Sequence, residues 1–393
     1  MIIEIIFWGS VFFVFHTYVI YPLLLRLLSS GKKDNHVVYP AGDNDLPEVS
    51  ILMSLYNEEK VIEEKIMSIY HSEYPADKIE VIVGSDNSTD NTNIILEKLT
   101  GKYSSLQFFP YAHRQGKAAI INRLYKKARG QVLILTDANV MLDKDTVYNL
   151  VKHFKNPEIG LVDTNMINKG LTKEGISLQE KTYISREVII KNYESRIWGT
   201  MMGPFGGCYA LRRELYSEVP PNYLVDDFYI NMMVFVQKHK AINDLNARVY
   251  EDVSDDLGIE FRRKVRIATG NFQNLRSFAR LLFPPFTGLS FSFMSHKILR
   301  WFGPFFIILA LVSCLYLSLN NEIYLYLFLC QCGLLILPFI DFFLRYLRIH
   351  IIILRFITHF YSMNLALLFG FFRFIAGVRS GIWTPTQRHQ AGS

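Results

Sequence analysis

The apolar residues of this chain are distributed so unevenly that they fix its architecture before any motif is considered. Ile2–Leu28 is almost wholly apolar, interrupted only by Glu4, His16 and Pro22, and long apolar runs return from Leu281 onward. Residues 32–280 between them have an ordinary water-soluble composition. A bilayer core leaves no water to satisfy backbone N–H and C=O groups, so long apolar runs must close their hydrogen bonds as helices. The interval must bury a core of its own. The hydrophobic share of 50% in 393 residues is therefore the sum of two regimes, a membrane protein carrying a soluble domain. Ile2–Leu28 has neither the basic n-region nor the small-residue cleavage site of a signal peptide, so it reads as an anchor. Arg26, Lys32 and Lys33 follow it closely, which places its C-terminal end in the cytoplasm.

Beyond the interval, Glu260–Leu282 is basic and amphipathic and suits a helix lying at the headgroup surface. After Pro284 and Pro285, Ile298–Leu319 and Ile323–Leu344 are each long enough to span. The turn between them, Asn320–Glu322, has no basic residue, whereas Lys297, Arg300, Arg345 and Arg348 flank the far ends, which puts the turn outside. Ile349–Val378 contains Arg355, His359, Asn364 and Arg373 and leads to a tail with Arg379 and Arg388. Crossing would carry that basic tail outside. A re-entrant or interfacial segment keeps it cytoplasmic and is favoured on charge. The expected organisation is a transmembrane helix in 1–30, a soluble domain over 47–258, an interfacial helix region in 259–290, and a C-terminal membrane region of 297–378.

The net charge of +6 gathers at membrane-flanking positions, with no Lys/Arg stripe interleaved with aromatics, so a nucleic-acid partner is not expected. Cys208, Cys314, Cys330 and Cys332 are the four cysteines, three of them in apolar segments. That leaves no disulfide framework or zinc site and fits a soluble domain in a reducing compartment.

Gly31–Pro47 reads as a linker, and from Glu48 strands and helices alternate. Val49–Leu55 is a strand, followed by Tyr56-Asn57-Glu58-Glu59 and a helix to about Tyr70. Ile79–Val83 runs into Ser85-Asp86-Asn87-Ser88-Thr89-Asp90, with Asp90 as cap of a helix over about 91–99. A short strand at Leu106–Phe109, a basic loop and a helix over about 117–128 lead to the strand 131–135, which ends in Thr136-Asp137-Ala138-Asn139. Such alternation predicts an α/β domain with a mostly parallel, Rossmann-like sheet. A long helix over 176–197, a glycine-rich turn entering a strand at Gly203–Leu211, and a helix over 226–238 follow.

Three polar clusters directly follow predicted strands: Asn57 and Glu58, Asp86 and Asp90, and Asp137 with Asn139. In a parallel sheet all three reach the same edge, where ligands bind. Asp86 could accept from a base N–H and Glu58 could reach ribose or base. Asp137 and Asn139 offer the oxygen ligands that a divalent cation on a nucleotide diphosphate requires. In His113-Arg114-Gln115-Gly116-Lys117, the glycine permits a sharp turn and places Lys117 at a helix N-terminus, where diphosphate charge is favoured. No GxxxxGK[ST] loop occurs, so this is not a P-loop. Asp226 and Asp227 open a helix, and one could serve as general base toward an acceptor hydroxyl, a displacement that inverts the anomeric carbon. Each feature taken alone has a plainer reading as turn chemistry, a helix cap or a solvated loop.

The ordered set Val49–Glu59, Ser85–Asp90, Gly116-Lys117, Asp137-Ala138-Asn139, Gly206-Gly207 and Asp226-Asp227 resembles the motif series of family 2 inverting glycosyltransferases. Within that family it is similar to the membrane-embedded branch of cellulose, hyaluronan and poly-N-acetylglucosamine synthases, over about residues 47–280 and in the layout of spans. The resemblance implies a GT-A fold, an NDP-sugar donor (UDP-sugar by family habit) and Mg²⁺ or Mn²⁺. It implies donor contacts from Asn57, Glu58, Asp86, Lys117, Asp137, Arg263 and Arg266, and metal binding by Asp137 and Asn139. It further implies catalysis by Asp227 with Asp226, and an acceptor side lined by Gly206, Gly207 and Cys208. The setting would be a bacterial inner or plasma membrane with the catalytic domain in the cytoplasm.

Two departures shape the expected activity. Asn139 stands where the metal motif usually has a second aspartate, and Arg263-Lys264-Val265-Arg266-Ile267 stands where processive synthases have Gln-x-x-Arg-Trp. The residues that would hold a growing polymer are missing, so the expectation is non-processive transfer to a lipid-linked or cell-surface glycan acceptor. The alternatives are a processive polysaccharide synthase and, in another class, a non-catalytic nucleotide-sugar-binding membrane subunit.

Overall fold

A computed structural model describes residues 1–169, 177–252, 257–347, 349–378 and 380–381. Arg348, Arg379 and Arg388, used above to orient the spans, lie outside the described residues. The chain divides into two compact units. Met1–Leu27, Thr172–Thr182 and Ser254–Gly377 make up one, and Leu28–Leu171, Tyr183–Val253 and Val378–Ser393 the other.

The second unit is built on an eight-stranded sheet. Its strands are β1 (Val49–Leu55), β2 (Ile79–Asp86), β3 (Leu106–Tyr111), β4 (Val132–Thr136), β5 (Val140–Leu142), β6 (Ile159–Lys169), β7 (Cys208–Arg212) and β8 (Lys240–Asp252). They lie in the order β3-β2-β1-β4-β7-β6-β8-β5. The first four are parallel, as the alternation with helices predicts. β7 then pairs antiparallel with both β4 and β6, β6 and β8 are parallel, and β5 closes the edge antiparallel to β8. The sequence reading did not include β5, β6 or β8. β5 has only three residues, and Ile159–Lys169 mixes polar positions among the apolar ones, so neither shows a clean period. The core sits where sheet meets helices: Ile51, Met53, Val81, Val83 and Ile134 pack against Ile62, Ile66, Ile69 and Leu96, all fully buried. Burying a side chain of this kind contributes about 1.5–3 kcal/mol.

Among the described residues, three helices are long and apolar enough to cross a membrane: Ile2–Leu28, Glu322–Tyr346 and Ile352–Ala376. The span expected at Ile298–Leu319 is not one helix. Gly288–Trp301 and Gly303–Ser318 form a pair bent by 61°, because the chain breaks at Phe302 ahead of Gly303-Pro304, where proline tolerates only the first turn. Within the segment expected to re-enter or lie at the interface, Ile352–Ala376 is one uninterrupted helix of 25 residues. Three of its polar residues are paired. Arg355 Nε lies 3.2 Å from Asp341 Oδ1, Thr358 donates to Asp341 Oδ2 at 3.0 Å, and His359 Nε2 meets Glu180 Oε1 at 2.7 Å. Charged groups inside apolar helices are tolerated when paired in this way. The amphipathic stretch forms the helix Leu257–Phe278, where Lys264 holds Glu180 at 3.0 Å and Glu260 at 3.3 Å.

Candidate active site

Strands β1, β2 and β4 run parallel, so the loops after Leu55, Asp86 and Thr136 gather at one edge. Asn57, with φ of 56°, joins the first two loops. Its Oδ1 accepts from Thr89 N–H at 2.8 Å, and its own N–H donates to Ser88 Oγ at 3.1 Å. The Glu58 N–H donates to Thr92 Oγ1 at 2.8 Å. Asp90 accepts from the N–H groups of Thr92 (3.0 Å) and Glu59 (3.1 Å), but the N-cap of the helix Thr92–Lys102 is Asn91, one residue beyond the position expected.

Asp86 is buried, and its carboxylate shapes the next loop. Oδ1 accepts from Gln115 N–H at 2.7 Å, and Oδ2 accepts from Gly116 N–H at 2.9 Å and from Arg114 Nε at 3.2 Å. The Arg114 guanidinium lies 3.4 Å from the centroid of the Tyr56 ring, a cation–π stack the sequence did not reveal. Gly116 has φ of 89°, a conformation that favours glycine, and it delivers Lys117 to the first turn of the helix Lys117–Tyr125.

Lys117 is where the separate motifs meet. Its Nζ donates to Asp137 Oδ1 at 2.7 Å and to the Gly206 carbonyl at 3.3 Å, and lies 4.0 Å from Asp226 Oδ2. Burial alone would weaken its hold on the proton, but Asp137, Asp226 and Asp227 outweigh it and raise the ammonium above its usual range. Asp226 and Asp227 open the helix Asp226–Val236. Burial and the neighbouring Asp226 push Asp227 up to about 6, against the pull of Lys117 and of the Phe228 N–H, which donates to Oδ1 at 2.7 Å. A Cβ on Gly206 would stand 2.5 Å from Asp227 Oδ2, so only glycine lets this loop lie against that carboxylate. The buried Tyr209 hydroxyl has no hydrogen-bond partner among the described residues, and burial together with Asp226 and Asp227 makes it a much weaker acid than an ordinary phenol.

Two buried lysines support this arrangement from below, and neither was read from the sequence. Lys65, from the helix Ile62–Tyr70, donates to Thr136 Oγ1 at 2.8 Å and to the Val140 carbonyl, bracketing the Asp137 turn. Burial pushes it down to about 8, with Cys208 and Asp137 acting the other way. Lys191 pairs with Asp163 Oδ2 at 2.8 Å and stacks 3.4 Å from the Phe205 ring centroid, while Asp163 Oδ1 accepts from Phe205 N–H at 3.3 Å. Burial raises Asp163 against the effect of Lys191. That pair fixes the 203–208 turn. Both lysines sit at positions that a helical apolar pattern would give to the core, so periodicity alone hides them.

The sequence-predicted residues therefore divide. Lys117, Asp137, Gly206, Asp226 and Asp227 come together, and Asn57, Glu58 and Asp86 build the adjoining loops. Gly207 packs against Met166 and Val140. Cys208, expected to line the acceptor side, is a correction: it starts a central strand whose next three residues are also buried, so it is fully buried itself, and burial pushes its thiol up to about 11. Arg263 and Arg266 belong to the other unit, where Arg263 lies 3.4 Å from Glu260. Asn139 donates from Nδ2 to Glu251 Oε1 at 3.3 Å.

Among the described residues, no group of three or more His, Cys, Asp or Glu side chains is arranged to hold a metal by itself. Asp137 is about one-third exposed and stands with the Asn139 amide at the open strand edge. This hard-oxygen pair fits a small divalent cation that takes its remaining ligands from diphosphate and water.

Residues 50–219 match the family described as Glycosyl transferase family 2. The chain is 25% identical over 242 residues to the probable glycosyltransferase YdaM of Bacillus subtilis, an alignment covering 58% of this chain and 56% of that protein. It is 24% identical over 277 residues to poly-beta-1,6-N-acetyl-D-glucosamine synthase of Staphylococcus aureus, covering 69% of this chain and 63% of the relative. The chain thus spans less than two thirds of the length of either curated relative. Among solved structures it is similar to the mannosyltransferase PcManGT from Pyrobaculum calidifontis in complex with GDP-Man and Mn²⁺, with a TM-score of 0.73 and 22% identity over 95% of this chain and 99% of that one. That likeness shows the fold, and the GT-A class expected from the motifs holds.

Proposed function

From a chain that carries a glycosyl transferase family 2 domain over residues 50–219, we propose an inverting glycosyltransferase that moves one sugar from a nucleoside-diphosphate donor to a hydroxyl acceptor. The observation that supports it most is the meeting of Lys117 with Asp137, Asp226 and Asp227 at the strand edge. A lysine held permanently charged by three carboxylates suits a diphosphate, whose developing charge it stabilises as the leaving group departs. Asp227, held at about 6, is ionised at neutral pH yet basic enough to take a proton in the transition state.

The acceptor hydroxyl gives its proton to Asp227 as its oxygen bonds to the anomeric carbon. The bond from that carbon to the diphosphate oxygen breaks, and the electron pair leaves on the nucleoside diphosphate. A single displacement inverts the configuration. Gly206 keeps the acceptor side of Asp227 free of any side chain, and the Arg114 plane over Tyr56 gives the nucleobase a flat partner beside the Asp86 loop. Bound Mg²⁺ or Mn²⁺, held by Asp137 and Asn139, would neutralise diphosphate charge. The donor is read as a UDP-sugar from the resemblance. The acceptor is read as lipid-linked or cell-surface glycan, because the apolar helices suit an integral protein of a bacterial plasma membrane with this domain cytoplasmic. Transfer is read as non-processive, since Arg263–Ile267 lacks the Gln and Trp of the polymerising motif. The domain boundaries proposed are those read from the sequence: 1–30, 47–258, 259–290 and 297–378.

The test is nucleotide release by purified protein across a panel of UDP- and GDP-sugars with Mn²⁺ and membrane lipid extract, comparing wild type with Asp227→Asn. Release from one donor, abolished in the variant, with product of inverted anomeric configuration, is the expected result. Equal release by the variant, or retained configuration, refutes the assignment of the base.

A further inference from the structure

The metal motif is one carboxylate short, because Asn139 occupies the position usually held by aspartate. We propose that Glu251 supplies the missing carboxylate and, with Asp137 and Asn139, forms the site for a divalent cation shared with the donor diphosphate. This rests on the nucleoside-diphosphate reading given above.

Three strands bring the group together. β5 and β8 pair antiparallel with Val140 opposite Glu251, so Asn139 is one residue from Glu251's cross-strand partner, and its amide lies 3.3 Å from Glu251 Oε1. β6 and β8 pair parallel with Asn168 beside Glu251. Registered neighbours point to the same face of a sheet, and residues two apart on a strand share it. Val140 and Met166 both approach Gly207, which places Glu251 and Asn168 on the face that carries the 203–208 turn.

Asn168 gives the independent sign of a ligand. It is only 6% exposed, and among the described residues neither its amide oxygen nor its nitrogen has a hydrogen-bond partner. A buried amide left wholly unpaired costs about 1–3 kcal/mol, and such groups in native structures call for an occupant. A hydrated cation answers both features: carboxylate and amide oxygens coordinate it, and the buried amide hydrogen-bonds its water or a phosphate oxygen.

The experiment measures Mn²⁺ binding by the EPR signal of free Mn²⁺, using this chain purified in lipid nanodiscs, with and without UDP. The variants are Glu251→Gln, Asn139→Asp and the two combined, each checked for an unchanged melting temperature. Glu251→Gln is expected to weaken Mn²⁺ binding about 10- to 100-fold. Asn139→Asp in the same chain is expected to restore it, since the lost carboxylate returns on the neighbouring residue. Unchanged Mn²⁺ affinity in Glu251→Gln overturns the proposal, as does a loss that Asn139→Asp leaves unrepaired. Wild type that binds UDP but no Mn²⁺ also overturns it, while leaving the transfer reading standing on Lys117. Failure to bind any nucleoside diphosphate instead counts against the transfer reading itself.

Discussion

Replacing Gly206 with alanine tests the geometry of the proposed base without touching the base. The added methyl carbon falls 2.5 Å from Asp227 Oδ2 and 3.1 Å from its Cγ. Real Cβ contacts do not approach closer than 3.0 Å, so either the turn or the carboxylate must move by about 0.5 Å or more. The turn is held by Lys191, Asp163 and the Phe205 N–H, and Asp227 is held by the Phe228 N–H, so neither gives way freely. Overpacking of this kind costs about 1–3 kcal/mol. A displacement approaching 1 Å at a reacting group costs up to roughly 100-fold in rate, about 2.7 kcal/mol of barrier. Gly206→Ala is therefore expected to release nucleotide about 10- to 100-fold more slowly while binding donor nearly as well, because Lys117 and the nucleobase loops keep their places. The assay pairs nucleotide-release rates with calorimetric UDP affinity. Gly101→Ala, where a Cβ meets nothing within 4 Å, is the control. If Gly206→Ala stays within twofold of wild type in rate, or loses donor affinity and rate in parallel, the placement of Asp227 against this turn is not what catalysis depends on.

Other predictions follow from the same site. The rate at limiting substrate is expected to rise with pH through about 6 as Asp227 ionises, and an activity profile flat from pH 5 to 8 contradicts that. Asp227 also bears on stability. Its folded value of about 6 exceeds the ordinary 3.8, so its stabilising contribution is complete below about pH 4 and is lost as pH rises through about 6. Asp227→Asn should then be inactive yet more stable at pH 7.5, by on the order of 2–3 kcal/mol, measurable as a higher melting temperature. Lys191→Met strands a fully buried Asp163 and is expected to cost about 3–5 kcal/mol, whereas Asp163→Asn with Lys191→Met should recover much of it in denaturant melts. Lys117→Met should abolish calorimetric UDP binding and also lower the melting temperature, since it removes the cation that Asp137 and Asp226 share.

The sequence by itself determined the partition of the chain and the order of its motifs. Long apolar runs can only be helices in lipid, and a run of apolar residues ending in Asp137 and Asn139 can only bring those side chains to a strand edge. Lys117 and Gly116 were legible for a similar reason, because a glycine before a helix states where the next side chain must sit. What tertiary structure alone decided was pairing between segments far apart in the chain. β6, β7 and β8 enter the sheet out of order, so nothing local announces that Glu251 comes beside Asn139, 112 residues away. The two buried lysines were invisible because periodicity assigns a position to the core without saying what charge the core will match there. Cys208 was misplaced because β7 lies between β4 and β6 with both of its faces covered, a place in the sheet that no local pattern announces. Charge balance at the site belongs wholly to the fold: one lysine shared by three carboxylates is a property of where chains cross.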